Sequence, residues 1–212
     1  MSDIQGQRRV VIFDMGNVLI DWDPDARYQT HIADDRDRAL FFAGLFRRMH
    51  WAVHDSDQSF SDALSSLKQE EPSSRALIEQ FEHGWYEFLR GPMDASVAVL
   101  EALVAAQVPV YGLTNWPHQT WPPKSAAATD HNYGFLQHFK DVVVSGQVKM
   151  HKPDEDIYDY ALTRFGVRPE EAVFVDDLRE NIETANRLGL HGIQFTDAAS
   201  LHVELTNLGL LA

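Results

Sequence analysis

The chain has 212 residues, of which 44% are hydrophobic, enough for a packed core in one domain or in one domain with an insert. Its formal net charge of −14 makes nucleic acid and anionic membrane surfaces unfavourable partners, because both repel an acidic protein. The absence of cysteine excludes disulfides and thiol chemistry, and no apolar run approaches the ~18 residues of a membrane span. Residues 1–9 lack the apolar core of a signal peptide, so we expect a soluble, cytoplasmic protein.

The first predicted strand runs directly into an aspartate. Residues 10–13 are an unbroken apolar run, typical of a strand buried on both faces of a parallel sheet, and Asp14 follows them. Ligands of open α/β sheets bind beyond the carboxyl ends of the strands. Gly16 and Asn17 then allow the backbone to bend sharply. Asp14 is therefore a candidate nucleophile or metal ligand, although an aspartate that caps a helix explains this stretch equally well.

A long helical region follows this strand. Residues 21–25 are predicted to form a turn that starts a helix with Pro24 at its first position. Apolar residues then recur at helical spacing as far as about residue 90, with no strand pattern among them. We predict an inserted domain of about four helices over residues 21–92, between the two parts of a core domain, residues 1–20 and 93–212.

From residue 94 onward, helices and strands alternate. The predicted strands are residues 108–113, 142–144, 172–175 and 193–195, and the predicted helices are residues 97–106, 157–165, 181–188 and 198–208. Alternation of this kind is typical of a parallel sheet with helices on both faces. The predicted fold is therefore an α/β protein with a doubly wound, five-stranded parallel sheet and a helical insert.

Polar residues stand at four of the predicted strand ends. They are Asp14, the pair Thr114 and Asn115, the segment from Ser145 to Lys152, and the pair Asp176 and Asp177. Parallel strands end at one edge of the sheet, so these groups can converge, and three carboxylates there would raise each other's pKa values. Mg²⁺ resolves such repulsion and suits carboxylates together with phosphate oxygens. With Lys152 and the Thr114 hydroxyl as partners for anionic oxygens, the set matches phosphoryl transfer to Asp14 from a small phosphorylated metabolite.

Together these motifs resemble those of the haloacid dehalogenase superfamily. They read FDMGNV at residues 13–18, LTN at 113–115, KP at 152–153 and VDD at 175–177, in the order and spacing of that family. The resemblance covers the whole chain and implies a Rossmann-like core with the helical insert as a cap domain. It also implies a role for each motif residue: Asp14 as nucleophile and Mg²⁺ ligand, Thr114 and Asn115 as phosphoryl-binding residues, Lys152 as the residue that orients the nucleophile, and Asp176 and Asp177 as metal ligands.

One position departs from the family pattern. The family's phosphatases usually carry a general acid–base aspartate two residues after the nucleophile, and that position is Gly16 here. The Gly16 carbonyl can still ligate Mg²⁺, but the proton donor is missing, a loss that typically costs ~10²–10⁴-fold in rate. Asp21, Asp23 and His54 are candidate replacements. The FDMGNVL form is similar to a bacterial branch that includes sugar-1-phosphate phosphatases and proteins labelled as haloacid dehalogenases.

Aromatic residues near the motifs are candidate substrate contacts. Trp51 and His54 lie in a predicted break between two helices of the insert, and Trp116 follows the second motif directly. Their rings suit a sugar, although tryptophan also commonly packs in cores. Arg47 and Arg48 are predicted to end a helix of the insert, where they complement its dipole; the alternative is that one of them binds substrate.

Three functions are compatible with these residues. The first is a Mg²⁺-dependent phosphatase that acts on a sugar phosphate or a similar small phosphomonoester. The second is a 2-haloacid dehalogenase, in which Asp14 attacks carbon and no metal is required. The third, suggested by Gly16, is a catalytically inactive protein that binds a phosphorylated ligand.

Overall fold

The computed structural model describes residues 8–124 and 132–212, so the predicted features of residues 1–7 lie outside it. Its strands are β1 (Val10–Phe13), β2 (Ile20–Trp22), β3 (Leu89–Pro92), β4 (Val110–Thr114), β5 (Val142–Val144), β6 (Ala172–Asp176) and β7 (His191–Gln194). Five of them form a parallel sheet in the order β5-β4-β1-β6-β7. This confirms the predicted sheet, and it places β1, which is buried along its whole length, at the centre.

The segment between β2 and β3 is helical, as predicted, but it contains six short helices where about four were expected. They are α1 (Pro24–Tyr28), α2 (Asp35–Phe41), α3 (Arg47–His54), α4 (Phe60–Ala63), α5 (Ser65–Glu70) and α6 (Arg75–Gly84). As predicted, α1 begins with Pro24, and the Asp23 side chain caps it by accepting from the Ala26 N–H at 3.1 Å. A π-helical turn over Phe42–Phe46 joins α2 and α3 into one continuous helix.

A small antiparallel sheet joins the helical insert to the core. β2 pairs with β3, so the chain enters and leaves the insert side by side. The prediction of a turn at residues 21–25 and of no strand before residue 90 is wrong at these two places. Strands of three and four residues that include Asp21, Gly91 and Pro92 carry no apolar alternation, and only their mutual pairing, about seventy residues apart in sequence, defines them.

Helices cover both faces of the large sheet. After β3 they are α7 (Asp94–Ala105), α8 (Ser145–Val148), α9 (Glu155–Phe165), α10 (Arg179–Arg187) and α11 (Ala198–Asn207). Val11 and Phe13 of β1 pack in the same core as α7, α11 and the insert, whereas Ile12 packs in the core formed with α9 and α10. The predicted boundaries of α7, α9, α10 and α11 are displaced by only a few residues, whereas the short helix α8 was not predicted. No helix in the described ranges is long and apolar enough to cross a membrane.

Candidate active site

Three carboxylates meet at the carboxyl edge of the sheet. Asp14 directly follows β1, and its backbone N–H donates to the Val175 carbonyl of β6 at 2.9 Å. Asp176 is the last residue of β6 and is fully buried, and the half-buried Asp177 follows it. One oxygen from each of Asp14, Asp176 and Asp177 lies within 4.8 Å of the other two. We call these three residues the carboxylate cluster; the structure brings them together as the strand-end argument predicts.

Lys152 lies between two members of the cluster. Its Nζ is 2.9 Å from Asp14 Oδ1 and 2.6 Å from Asp176 Oδ2. Asp176 also accepts from Asn181 Nδ2 through both oxygens, at 2.9 and 3.0 Å, and from the Leu178 N–H at 2.9 Å. Asp176 is therefore fully engaged within the protein, whereas Asp177 and Asp14 line a cavity.

Burial controls the ionisation of the cluster. It raises the pKa of Asp14 to about 7, against the opposing effect of Lys152 and with a further contribution from the two neighbouring carboxylates. Burial and the charge of Asp176 also raise the pKa of Asp177. Burial alone would lower the pKa of Lys152, but its contacts with Asp14 and Asp176 raise it overall. One lysine thus does not compensate two buried carboxylates and the half-buried Asp177.

This donor set fits Mg²⁺. The ion prefers hard oxygen ligands and is usually held by one or two carboxylates together with substrate oxygens. Asp14 and Asp177 offer such oxygens to the cavity, and Gly16, whose carbonyl is a predicted ligand, also lines it. The raised pKa values of both carboxyls indicate that their negative charge is poorly compensated by the protein alone. A divalent cation at this point would stabilise the ionised cluster.

The two polar residues of the second motif, Thr114 and Asn115, have different surroundings. Thr114 ends β4 and is buried on the cavity wall. Asn115 exchanges two hydrogen bonds with the backbone of Lys152: Nδ2 donates to the Lys152 carbonyl at 2.9 Å, and Oδ1 accepts from its N–H at 3.0 Å. The Asn115 amide therefore positions Lys152, and only its second amide hydrogen is left for the predicted phosphoryl contact.

A cavity of about 430 Å³ extends from Asp14 toward the helical insert. Five ring side chains line it, which we call the aromatic wall: Trp22, His50, Trp51, Trp85 and Trp116. The predicted substrate contacts Trp51 and Trp116 thus lie on the cavity. The predicted contact His54 does not line it; it is fully buried, and its Nδ1 donates to the His50 carbonyl at 3.0 Å. Trp51 and His54 lie within α3, not in a break between helices.

Two tryptophans of the cavity were missed from the sequence, and the place of Arg47 in its helix was predicted wrongly. Trp22 lies in the unpredicted strand β2, and Trp85 is indistinguishable by periodicity from the apolar face of a helix. Arg47 was predicted to end a helix, but the π-helical turn continues the helix and Arg47 begins α3, where it lines the cavity. Arg48 instead pairs with Glu70 and Glu71.

The candidate replacements for the missing acid lie away from the cavity. Asp23 caps α1 and pairs with Arg90 at 2.8 Å, and Asp21 lies 3.7 Å from Arg90; neither lines the cavity. A Cβ built on Gly16 meets no described atom within 4 Å, and Gly16 is not in the left-handed region, which its neighbour Asn17 occupies with φ 55°. Gly16 is therefore not required by local sterics or by backbone conformation.

Comparison with known proteins supports the assignment made from the motifs. The haloacid dehalogenase-like hydrolase family matches residues 8–189. The chain is 26% identical over 200 residues to a sesquiterpene phosphatase of Aspergillus oryzae, covering 94% of this chain and 96% of the relative. It is 25% identical over 205 residues to a D-ribitol-5-phosphate phosphatase of Bacteroides thetaiotaomicron, covering 92% and 96%.

A solved structure has the same fold. A magnesium complex of a HAD family enzyme from Bacteroides thetaiotaomicron superposes with a TM-score of 0.67 at 20% identity, covering 90% of this chain and 94% of that one. The matched residues 8–189 include all four motifs and the whole carboxylate cluster. The chain therefore belongs to the haloacid dehalogenase-like hydrolase family and is an enzyme of that class.

Proposed function

We propose that this hydrolase is a Mg²⁺-dependent phosphatase that acts on a small phosphomonoester through an aspartyl-phosphate on Asp14. The observation that carries the proposal is the carboxylate cluster with Lys152 at the inner end of the cavity, where Lys152 Nζ lies 2.9 Å from Asp14 Oδ1. A carboxylate held by one lysine and open to a cavity is a nucleophile suited to phosphorus. The likeness to two named phosphatases supports the same reaction.

The proposed hydrolysis has two chemical steps. In the first, an Asp14 oxygen attacks phosphorus in line, so that a new O–P bond forms while the ester P–O bond breaks and the leaving oxygen takes a proton from solvent. In the second, water attacks phosphorus, which releases phosphate and restores the carboxylate. Lys152 and the Thr114 hydroxyl would hold the phosphoryl oxygens, and Asn115 would keep Lys152 in place.

The metal would be held mainly by Asp14, Asp177 and the Gly16 carbonyl. Asp176 would support these ligands indirectly, because its oxygens already accept hydrogen bonds from Lys152 and Asn181. When bound, Mg²⁺ neutralises negative charge on the transferred group. This assignment predicts that Asp177→Asn raises the Mg²⁺ concentration required for half-maximal activity.

We further infer that residues 21–92 act as a cap domain over a core of residues 1–20 and 93–212. In support, Trp22, His50, Trp51 and Trp85 of this segment line the cavity whose inner end belongs to the core. Core side chains also hold the segment: Gln119 Nε2 donates to the carbonyls of Ser56 and Gln58 at 3.0 and 2.8 Å. A cytoplasmic location remains a prediction.

No observation favours the dehalogenase alternative. Its substrate is a carboxylate, which the half-buried Asp177 on the cavity wall would repel. The inactive-protein alternative makes a different prediction from ours, namely binding of a phosphorylated ligand without turnover. Both are separated from the phosphatase by one assay.

The test is phosphate release from p-nitrophenyl phosphate and a panel of phosphorylated metabolites, with Mg²⁺ and with EDTA. We expect turnover that EDTA abolishes and that Asp14→Asn lowers by at least ~10⁴-fold, because no nucleophile remains. The matched control is Asp57→Asn, which changes an exposed aspartate outside the cavity. Absence of phosphate release from every substrate, or full activity in Asp14→Asn, would refute the proposal. Release of halide from 2-chloropropionate in EDTA would favour the dehalogenase.

A further inference from the structure

Three ring nitrogens of the aromatic wall are buried without a hydrogen-bond partner among the described residues. They are Trp22 Nε1, His50 Nδ1 and Trp85 Nε1. The three rings are mutual neighbours, with centroids 5.8 Å apart for Trp22 and His50 and 6.3 Å apart for the two pairs that include Trp85. All three side chains line the cavity that begins at Asp14. The unpaired nitrogens of these three rings therefore belong to one group of neighbouring side chains in the wall of this cavity.

A neighbouring tryptophan, Trp116, shows the contrast. Trp116 lines the same cavity, but its Nε1 donates to Thr120 Oγ1 at 3.1 Å. Buried polar groups in folded proteins are nearly always hydrogen-bonded, and one left unpaired costs free energy. A cluster of three such groups at a cavity points to partners that arrive with a ligand.

The chemistry of the three nitrogens defines those partners. An indole N–H only donates, so Trp22 and Trp85 each require an acceptor oxygen. Burial, with the neighbouring His54 and His151, holds the pKa of His50 well below its usual range, so the imidazole is neutral. A neutral imidazole offers one donor and one acceptor, which is the complement of a hydroxyl group.

We propose that Trp22, His50 and Trp85 form a leaving-group subsite that selects phosphomonoesters with a polyhydroxylated leaving group over hydrocarbon phosphates of the same size. This inference rests on the proposed phosphatase function. The ring faces contact the carbon skeleton, while the three nitrogens pair with its hydroxyl groups as the rings move apart to admit them. A hydrocarbon fills the same space but leaves all three nitrogens unpaired, and such a mismatch is a strong source of discrimination.

The experiment compares matched substrates that differ only in hydroxyl groups. One pair is inositol 1-phosphate and cyclohexyl phosphate, and the other is ribitol 5-phosphate and pentyl phosphate. We expect kcat/KM to favour the hydroxylated member by at least ~30-fold in one pair or the other. A ratio below about 3 in both pairs, with activity on p-nitrophenyl phosphate, would overturn the subsite and leave the phosphatase function standing.

Variants separate hydrogen bonding from the intrinsic reactivity of each ester. Trp22→Phe and Trp85→Phe keep one aromatic ring but remove the N–H donor together with part of the indole, so the hydrocarbon partner of each pair controls for the lost ring contact. Each should lower kcat/KM for the preferred hydroxylated substrate by ~5–10-fold while changing that for its hydrocarbon partner by less than about twofold. The control is Trp121→Phe, because Trp121 lies outside the cavity, and it should leave the ratio unchanged.

The other possible results of these assays also decide whether the subsite exists. Equal losses on both members of a pair would show that the indoles only shape the cavity, and would overturn the subsite. If a tryptophan variant fails to fold, the wild-type ratios decide the question alone. If the wild-type protein hydrolyses neither pair nor p-nitrophenyl phosphate, the proposed function fails first, and the subsite fails with it.

Discussion

The carboxylate cluster and the aromatic wall form two ends of one cavity, and they differ in how their polar groups are satisfied. In the cluster, Asp176 accepts from Lys152, Asn181 and the Leu178 backbone, so its position is determined within the protein. In the wall, the nitrogens of Trp22 and Trp85 have no described partner. Under the proposed function, the core prearranges the groups for the reaction, whereas Trp22 and Trp85 of the insert would find hydrogen-bond acceptors on the leaving group.

The largest effect should come from breaking the cluster at Lys152. Lys152→Met leaves Asp14 and Asp176 buried without their cation. We expect the free energy of unfolding in EDTA to fall by ~3–5 kcal/mol, because a buried charge is left uncompensated. Phosphatase activity should fall by at least ~100-fold. Urea unfolding with and without Mg²⁺ measures the first effect, and Mg²⁺ should restore part of the loss.

The matched control for this prediction is Lys149→Met. Lys149 pairs with Asp57 at 2.8 Å, but that carboxylate is 85% exposed. Water screens such a pair, so the change in the free energy of unfolding should be within ~1 kcal/mol. Equal destabilisation by the two variants would contradict the account of a buried, uncompensated cluster.

A smaller effect is expected at Gly16, where the usual general acid of the family's phosphatases is missing. Gly16→Asp should fold normally, because a Cβ at Gly16 meets no described atom within 4 Å and the residue is not in the left-handed region. The new carboxyl can protonate the leaving oxygen, so kcat/KM for alkyl phosphates should rise by ~10–100-fold. Aryl phosphates should change little, because a phenolate leaves readily without a proton. A normal melting temperature with no gain on alkyl phosphates would show that the enzyme already has another proton donor.

The smallest effect concerns the stability of the helical insert. Burial lowers the pKa of His54 to about 4, so the folded protein keeps it neutral while the unfolded chain protonates it below about pH 6.5. Between these two values the unfolded state binds more protons at this residue, and its contribution to stability falls as the pH is lowered.

His54→Asn should remove that contribution while retaining a donor for the His50 carbonyl. The difference in the free energy of unfolding between wild type and variant should therefore shift against the wild type from pH 7 to pH 5. Urea titrations at both values, in EDTA, measure it. A difference that does not change with pH would show that His54 is not kept neutral by burial.

The same two regions explain what could be predicted from the sequence. Asp14, Thr114 and Asp177 stand at or next to the ends of apolar runs, and Lys152 lies in the segment that follows a fourth run. The geometry of a parallel sheet makes such ends converge wherever the helices between them lie. The position of the cluster therefore follows from local patterns together with one rule of topology.

Trp51 and Trp116 of the wall were predicted from their places in the sequence, but the positions of Trp22, His50 and Trp85 depend on tertiary packing that no local pattern encodes. Trp85 and the fully buried Phe81 both recur at helical spacing, yet only Trp85 lines the cavity. The π-helical turn over Phe42–Phe46 alters the register of the following helix, so the position of Arg47 could not be read from a regular 3.6-residue period. His54 was expected near the substrate because a break was predicted there, and the continuous α3 buries it instead.

In the proposed reaction the phosphoryl group is transferred through a covalent bond to Asp14, and this bond can be trapped. Borohydride reduces an acyl phosphate, so rapid quenching during the first turnover should convert Asp14 to homoserine, detected by mass spectrometry of the peptide that contains it. We predict this conversion only when both substrate and Mg²⁺ are present, and not in Asp14→Asn. Release of phosphate with Asp14 left unreduced at every quench time would contradict the account.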